Sequence, residues 1–203
     1  MTRAADRSPS SLLDALQDRE VLLGVSGGIA AYKAAELTSL LTKSGARPTV
    51  IMTEAATKLV APKTFEALSR RPVALTMWGD ARIHPHIELA RQARVLCVAP
   101  TTADLGAKLA CGFADDLLTT TVLAFEGALI LAPAMNAAMW RKPATQRNFA
   151  RLVEDGATLV GPSTGALSCG ESGIGRMSEP REILEAIARA FVELDAQDAS
   201  RER

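Results

Sequence analysis

Three side chains of this sequence have the chemistry to act on a small molecule: His86, Asn136 and Cys169. Histidine has an ordinary pKa that suits proton transfer at neutral pH, and His84, followed by Pro85, is the weaker candidate of the two histidines. Cys169 lies in "LSCGESGIGRM", where glycines give the thiol exposure and backbone freedom. For His86, before an amphipathic helix, capping or simple exposure remains the alternative.

A glycine turn follows the first apolar run, in "GVSGGIAAYK" at residues 24–33. Backbone N–H groups at a helix N-terminus attract anions, and glycines let a phosphate approach closely. The spacing matches neither the dinucleotide fingerprint nor the nucleoside triphosphate loop. A mononucleotide phosphate site and a plain tight turn both remain open.

Two further polar segments follow core strands: "PTTAD" at residues 100–104 and "PAMNAAMW" at residues 133–140. Proline ends each strand, and hydroxyl, amide and backbone groups come next. Thr102, Asp104 and Asn136 are also residue types that cap helices, and Met139 and Trp140 suit a core equally well. Ligand binding and these structural roles are therefore both open.

The elements that position these residues alternate between strand and helix. Short apolar runs predict five buried strands, in "VLLGV", "PTVIMT", "ARVLCVAP", "ALILAP" and "ATLVGP", with helices between them. We expect an α/β fold with a doubly wound, Rossmann-like or flavodoxin-like parallel sheet in three layers. In such sheets ligands bind beyond the carboxyl ends of the strands. A single domain is expected at residues 19–195, between tails at residues 1–18 and 196–203.

The composition excludes several classes of protein. Lysine plus arginine equals aspartate plus glutamate at 23 each, which gives no electrostatic footprint for nucleic acid or membrane. Without an apolar run of membrane-spanning length or a signal-like start, we expect a cytoplasmic protein. The three cysteines show no metal-site or disulfide spacing. Cys97 and Cys111 are expected to be buried, so only Cys169 is expected to be accessible.

Five motifs taken together resemble the flavin-dependent cysteine decarboxylases, and within them most closely the phosphopantothenoylcysteine decarboxylases. They occur in that family's order over about residues 21–191: "GVSGGIAAYKA", "HIELA", "APTTADLGAKLACGFADDLL", "PAMNAAMW" and "SCGESGIGRM". Many bacterial members carry a second, ligase domain. We expect only the decarboxylase step here, with a separate ligase. The resemblance thus predicts fold, cofactor and reaction together.

The resemblance implies FMN as cofactor and assigns residues to it and to the substrate. His86, Cys169 and Asn136 match catalytic positions: a proton-transfer histidine, the cysteine of a substrate-covering flap, and the asparagine that holds the substrate carboxylate. The implied cofactor residues are Ser26, Gly27, Gly28, Ile29, Thr53, Thr102, Ala103, Asp104 and Leu105. The implied substrate residues are Asn136, Met139, Ala134, Gly170 and Met177. No metal is implied, and homotrimers or dodecamers with FMN between subunits are expected.

The reaction implied by the resemblance is decarboxylation of 4'-phosphopantothenoylcysteine to 4'-phosphopantetheine in coenzyme A biosynthesis. The substrate thiol is oxidised to a thioaldehyde, carbon dioxide leaves to give an enethiolate, and reduced FMN returns the electrons while Cys169 supplies a proton. A peptidyl-cysteine decarboxylase that stops at the enethiol is one alternative. A flavin prenyltransferase is disfavoured by the last two motifs, and a regulatory flavoprotein is the third alternative.

Overall fold

A five-stranded parallel sheet lies at the centre of the computed structural model, which describes residues 12–78, 83–166 and 172–201. Its order is β2-β1-β3-β4-β5. Leu23 of β1 lies between Val50 of β2 and Cys97 of β3. The strands are β1 Glu20–Val25, β2 Arg47–Met52, β3 Val95–Thr101, β4 Ala128–Pro133 and β5 Thr158–Leu159. The predicted parallel sheet is confirmed.

Helices cover both faces of this sheet, which explains why β1, β2 and β3 are buried almost from end to end. Val21 and Leu23 pack toward one face, and Leu22 packs toward the other. Each face has its own apolar cluster, so the three-layer prediction is also confirmed. The helices are α1 Ala31–Lys43, α2 Glu54–Thr57, α3 Pro62–Ser69, α4 Pro85–Gln92, α5 Ala103–Ala110, α6 Leu117–Leu123, α7 Ala137–Trp140, α8 Pro143–Glu154 and α9 Pro180–Arg201.

The sequence pattern allows at most a short helix around Leu12 to Leu16 and a last helix that ends near Asp195, and the structure exceeds this expectation at the C-terminal end. A 3-10 helix at Leu12–Leu16 places Leu16 fully inside the core. Helix α9 continues past its expected end near Asp195, and Asp195 accepts a hydrogen bond from Arg19. Arg94 adds an ion pair to Asp198 at 2.7 Å. Ion pairs to the body of the protein therefore accompany the extra turns of α9.

An antiparallel hairpin follows the sheet, where the sequence predicts only a loop. Its strands are β6 Ser163–Ala166 and β7 Ser172–Arg176. The Met135 amide donates to the Gly175 carbonyl at 2.9 Å, which joins β7 to the segment after β4. A Cβ at Gly175 would lie 2.3 Å from the Met135 carbonyl oxygen, so only glycine permits this approach.

Among the helices in the described ranges, none is long and apolar enough to cross a membrane.

Candidate active site

A cavity of about 1030 Å³ lies beyond the carboxyl ends of the parallel strands. Such sheets bind ligands at this edge, where successive connections leave in opposite directions. Here β1 connects to β2 on one side, while β3 lies on the other side of β1. The cavity collects these residues with predicted site roles: Ser26, Gly27, Gly28, Ile29, Thr53, Thr102, Ala103, Asp104, Leu105, Ala134, Asn136, Met139 and Met177. Their contacts with a ligand stay a prediction.

The glycine turn after β1 approaches its neighbours more closely than any larger residue allows. A Cβ at Gly27 would lie 2.4 Å from the Ala55 Cβ, and one at Gly28 would lie 3.1 Å from the Thr102 Cγ2. These glycines open a shallow cradle at the start of α1, where backbone N–H groups are available to an anion.

Two threonine hydroxyls in the cavity wall cap the helices that follow β2 and β3. Thr102 caps α5 by accepting a hydrogen bond from the Leu105 amide at 3.2 Å, so the capping interpretation holds for Thr102. Thr53 caps α2 by accepting from the Ala56 amide at 3.2 Å. Asp104 makes no cap and lies 3.7 Å from the Lys108 Nζ across one helical turn.

The segment after β4 brings its polar and apolar residues to the same cavity. Asn136 caps α7, accepting from the Ala138 amide at 2.7 Å, so it combines the predicted capping role with a place in the cavity wall. Met139 is 47% exposed, which rules out the core alternative for it. Trp140 packs against Phe149 with ring centroids 5.2 Å apart, as the core alternative requires.

His86 is not among the residues that line this cavity within one chain. It lies in the first turn of α4, and its Nδ1 is buried with no hydrogen-bond partner in the described part of the chain. His84, at the N-terminus of the same helix, is exposed, with its ring centroid 6.4 Å from that of His86. The structure therefore leaves the predicted histidine apart from the other site residues.

The cysteines differ sharply in accessibility. Cys97 is buried, as predicted, and burial raises its pKa to about 12. Cys111 is exposed, so the prediction that it is buried was wrong. It lies at the C-terminus of α5, where the chain turns at Gly112 with φ +70° and leaves the helix surface. Cys169 and Gly170, the predicted flap residues, lie outside the described residues.

Two cationic residues of the cavity wall, Lys33 and Arg176, were not assigned from the sequence. Lys33 and Arg176 line it, and each contacts the carboxylate of Glu179, with the Lys33 Nζ at 3.0 Å. Burial, followed by the charge of Arg176, lowers the pKa of Lys33. Lys33 stands in the glycine-turn motif one helical turn beyond the turn itself. This spacing was the available signal that it faces the same cavity.

The fold and this cavity define an α/β protein with a large cavity at the carboxyl edge of its parallel sheet. A family model described as "Flavoprotein" matches residues 9–192, and the chain belongs to that family. Two relatives are the coenzyme A biosynthesis bifunctional protein CoaBC from Vibrio vulnificus and from Bacillus subtilis. They are 43% and 47% identical over 93% and 88% of this chain. The chain spans only 47% and 44% of their lengths.

Solved structures give the same picture of the fold. A PPC decarboxylase mutant complexed with pantothenoylaminoethenethiol superimposes with a TM-score of 0.77 at 33% identity, over 87% of this chain and 100% of that one. The FMN-dependent cysteine decarboxylase SpaF gives a TM-score of 0.74 at 35% identity, over 88% and 98% of the two chains. The FMN-binding protein AtHal3 gives 0.73 at 33%, over 87% and 98%.

Proposed function

We propose that this chain catalyses the FMN-dependent decarboxylation of 4'-phosphopantothenoylcysteine to 4'-phosphopantetheine. The observation that carries this proposal is the similarity to the whole chain of a solved PPC decarboxylase, with the predicted cofactor residues and Asn136 in one cavity. The CoaBC relatives support a role in coenzyme A biosynthesis. A cytoplasmic location is part of the same proposal.

The cavity fits the cofactor. The cradle at Gly27 and Gly28 would receive the phosphate of FMN at the start of α1, and the capped N-terminus of α5 at Thr102 adds positive potential nearby. When bound, FMN supplies a two-electron oxidant for the substrate thiol, which gives the carbanion left by decarboxylation a place for its charge. A Cβ at Gly27 would lie 2.4 Å from the Ala55 Cβ, so this side of the cradle requires glycine.

The remaining roles fall to groups around the cradle. Asn136 would orient the substrate carboxylate by hydrogen bonding, and its cap on α7 holds it in place. Cys169 would donate the proton that accompanies return of the electrons. Each oriented acid or base group is worth about 10²–10⁴-fold in rate.

The catalytic role proposed for His86 requires a second copy of this chain, because His86 does not line the cavity of its own chain. We therefore propose a homotrimer, or a dodecamer built from trimers, in which α4 of one copy brings His86 to the cavity of its neighbour. The position of His86 at the start of α4, outside the cavity of its own chain, supports this arrangement.

The alternative is a peptidyl-cysteine decarboxylase, favoured by the comparable similarity to SpaF. The experiment is incubation of the FMN-loaded protein with 4'-phosphopantothenoylcysteine, followed by mass spectrometry. Loss of one carbon dioxide alone supports the proposal. Additional loss of two hydrogens indicates release of the enethiol and reopens the peptide alternative. An untouched substrate refutes the proposed activity.

A further inference from the structure

Lys33 and Arg176 share one carboxylate in the wall of the cavity. The Lys33 Nζ lies 3.0 Å from the Glu179 Oε1, and the Arg176 Nη2 donates to the same oxygen atom. Lys33 comes from α1, whereas Arg176 ends β7 and Glu179 lies three residues further on, just before α9. Two elements that are far apart in sequence therefore place two cations around one anion.

The cation pair faces the cavity, whereas its carboxylate does not. Lys33 and Arg176 are cavity residues and Glu179 is not. Lys33 is only 8% exposed, so its ammonium group has little water around it to replace a missing counter-ion. Within hydrogen-bonding distance, the two cations therefore share a single carboxylate, while Glu36 and Glu182 act on Lys33 from farther away.

The other lysines of the cavity have carboxylates of their own. Lys108 lies 2.9 Å from Asp115, and Lys58 lies 3.0 Å from Glu54 with most of its side chain in solvent. Those pairs are neutral or already solvated, so they offer less to an incoming anion. Among the described cavity residues, Lys33 and Arg176 are thus the cations that share one carboxylate between them.

Three anionic groups are candidates for this position if the proposed function holds: the FMN phosphate, the substrate carboxylate and the substrate phosphate. The glycine cradle is the better place for the cofactor phosphate, because it lies at the N-terminal end of α1, and a helix N-terminus favours an anion. A carboxylate that is about to leave gains nothing from an ion pair, since the pair stabilises the charge that the reaction must remove. The substrate phosphate remains.

We propose that Lys33 and Arg176, held together by Glu179, form a subsite for the terminal phosphate monoester of the substrate. The subsite rests on the proposed function and deepens it, because it selects the phosphorylated precursor over an unphosphorylated one or a peptide. A phosphate monoester carries about −1.5 to −2 charge at pH 7, and its oxygens could accept hydrogen bonds from both cations while Glu179 keeps its place.

The test compares 4'-phosphopantothenoylcysteine with N-pantothenoylcysteine, which lacks the phosphate, on the FMN-loaded protein. We expect Lys33→Gln and Arg176→Gln each to raise KM for the phosphorylated substrate by about ten- to a hundredfold, and to leave the unphosphorylated one within about twofold. Lys63→Gln is the matched control, since Lys63 lies 2.9 Å from Glu66 on the exposed face of α3 and should change neither.

Each other outcome overturns the subsite in a distinct way. If Lys33→Gln lowers kcat/KM equally for both substrates, Lys33 acts in catalysis or in positioning the β6–β7 hairpin, and not in binding the substrate phosphate. Weaker binding of FMN, with binding of riboflavin unchanged, would assign the pair to the cofactor phosphate. Decarboxylation of both substrates with equal efficiency by the unaltered protein would refute the subsite while the proposed function stands. No decarboxylation of either substrate refutes the proposed function itself.

Discussion

Ser26 and Thr102 are joined across the ends of two neighbouring strands. The Ser26 hydroxyl donates to the Pro100 carbonyl at 2.8 Å and accepts from the Thr102 amide at 3.2 Å. Ser26 directly follows β1, and Thr102 directly follows β3. One hydroxyl therefore sets the distance between the glycine turn and the capped start of α5, which are the two walls of the proposed phosphate cradle.

Replacing Ser26 with alanine should loosen both walls. The Pro100 carbonyl and the Thr102 amide would lose their partner in a buried place, which costs about 1–3 kcal/mol of unfolding free energy. FMN should also bind more weakly. Urea unfolding of the apoprotein and FMN titration by fluorescence measure the two effects. Ser200→Ala removes a hydroxyl that also donates to a carbonyl, but on an exposed helix end. Ser200→Ala should change the unfolding free energy by no more than about 0.5 kcal/mol. An equally small change for Ser26→Ala would contradict the prediction.

The sheet and the cavity could be predicted because local patterns determine them. Continuous apolar runs identify strands covered on both faces, and a ligand edge then follows from the topology. The β6–β7 hairpin could not be predicted, because its position depends on the contact between Gly175 and Met135, forty residues apart in sequence. The accessibility of Cys111 and the separation of His86 from the cavity likewise depend on tertiary placement. Motif order alone cannot give that placement.

Gly175→Ala should separate the hairpin from the segment after β4. Gly175 has φ +142°, and an added Cβ would meet the Met135 carbonyl oxygen at 2.3 Å. The displacement carries Arg176 with it, so we expect decarboxylation to fall about ten- to a hundredfold. Gly156→Ala is the control, because Gly156 has φ +99° and open space around its Cα. It should cost about 1 kcal/mol of stability and no activity. Equal decarboxylation rates for Gly175→Ala and Gly156→Ala would show that activity does not need the close contact between Gly175 and the Met135 carbonyl.

His86→Asn should abolish turnover and leave the protein yellow with FMN. In the proposed assembly His86 acts in a neighbouring cavity, so an inactive Asn136→Ala variant mixed with inactive His86→Asn should recover part of the activity once subunits exchange. His84→Asn, at the exposed N-terminus of the same helix, is the matched control and should keep full activity. Failure of the mixture to recover activity, when native mass spectrometry shows mixed oligomers, would place His86 in its own chain's site.

Cys169→Ser should separate the two halves of the proposed reaction. Oxidation and loss of carbon dioxide do not need this thiol, whereas return of the electrons needs its proton. We therefore expect the enethiol to accumulate, with a mass two hydrogens below that of the saturated product. Cys111→Ser is the control, since Cys111 lies at the exposed C-terminus of α5, and it should give the saturated product. An unchanged yield of saturated product from Cys169→Ser would remove Cys169 from the mechanism.

The native fold should keep Cys97 out of reach of thiol reagents while Cys111 reacts. Burial raises the pKa of the Cys97 thiol to about 12 from an ordinary 9.0, so it stays protonated wherever the protein is folded. Labelling with a maleimide at pH 7.5, followed by peptide mapping, should modify Cys111 within minutes and Cys97 only after unfolding.

The raised pKa of Cys97 also makes the stability of the fold depend on pH. In the unfolded chain the same thiol ionises above pH 9.0. Cys97 therefore contributes stability that is fully present below that pH and is lost as the pH rises toward about 12. In urea titrations, Cys97→Ala should show a shallower loss of stability above pH 9 than the unaltered protein. An equal loss in both would mean that the Cys97 thiol ionises in the folded state as it does in the unfolded one.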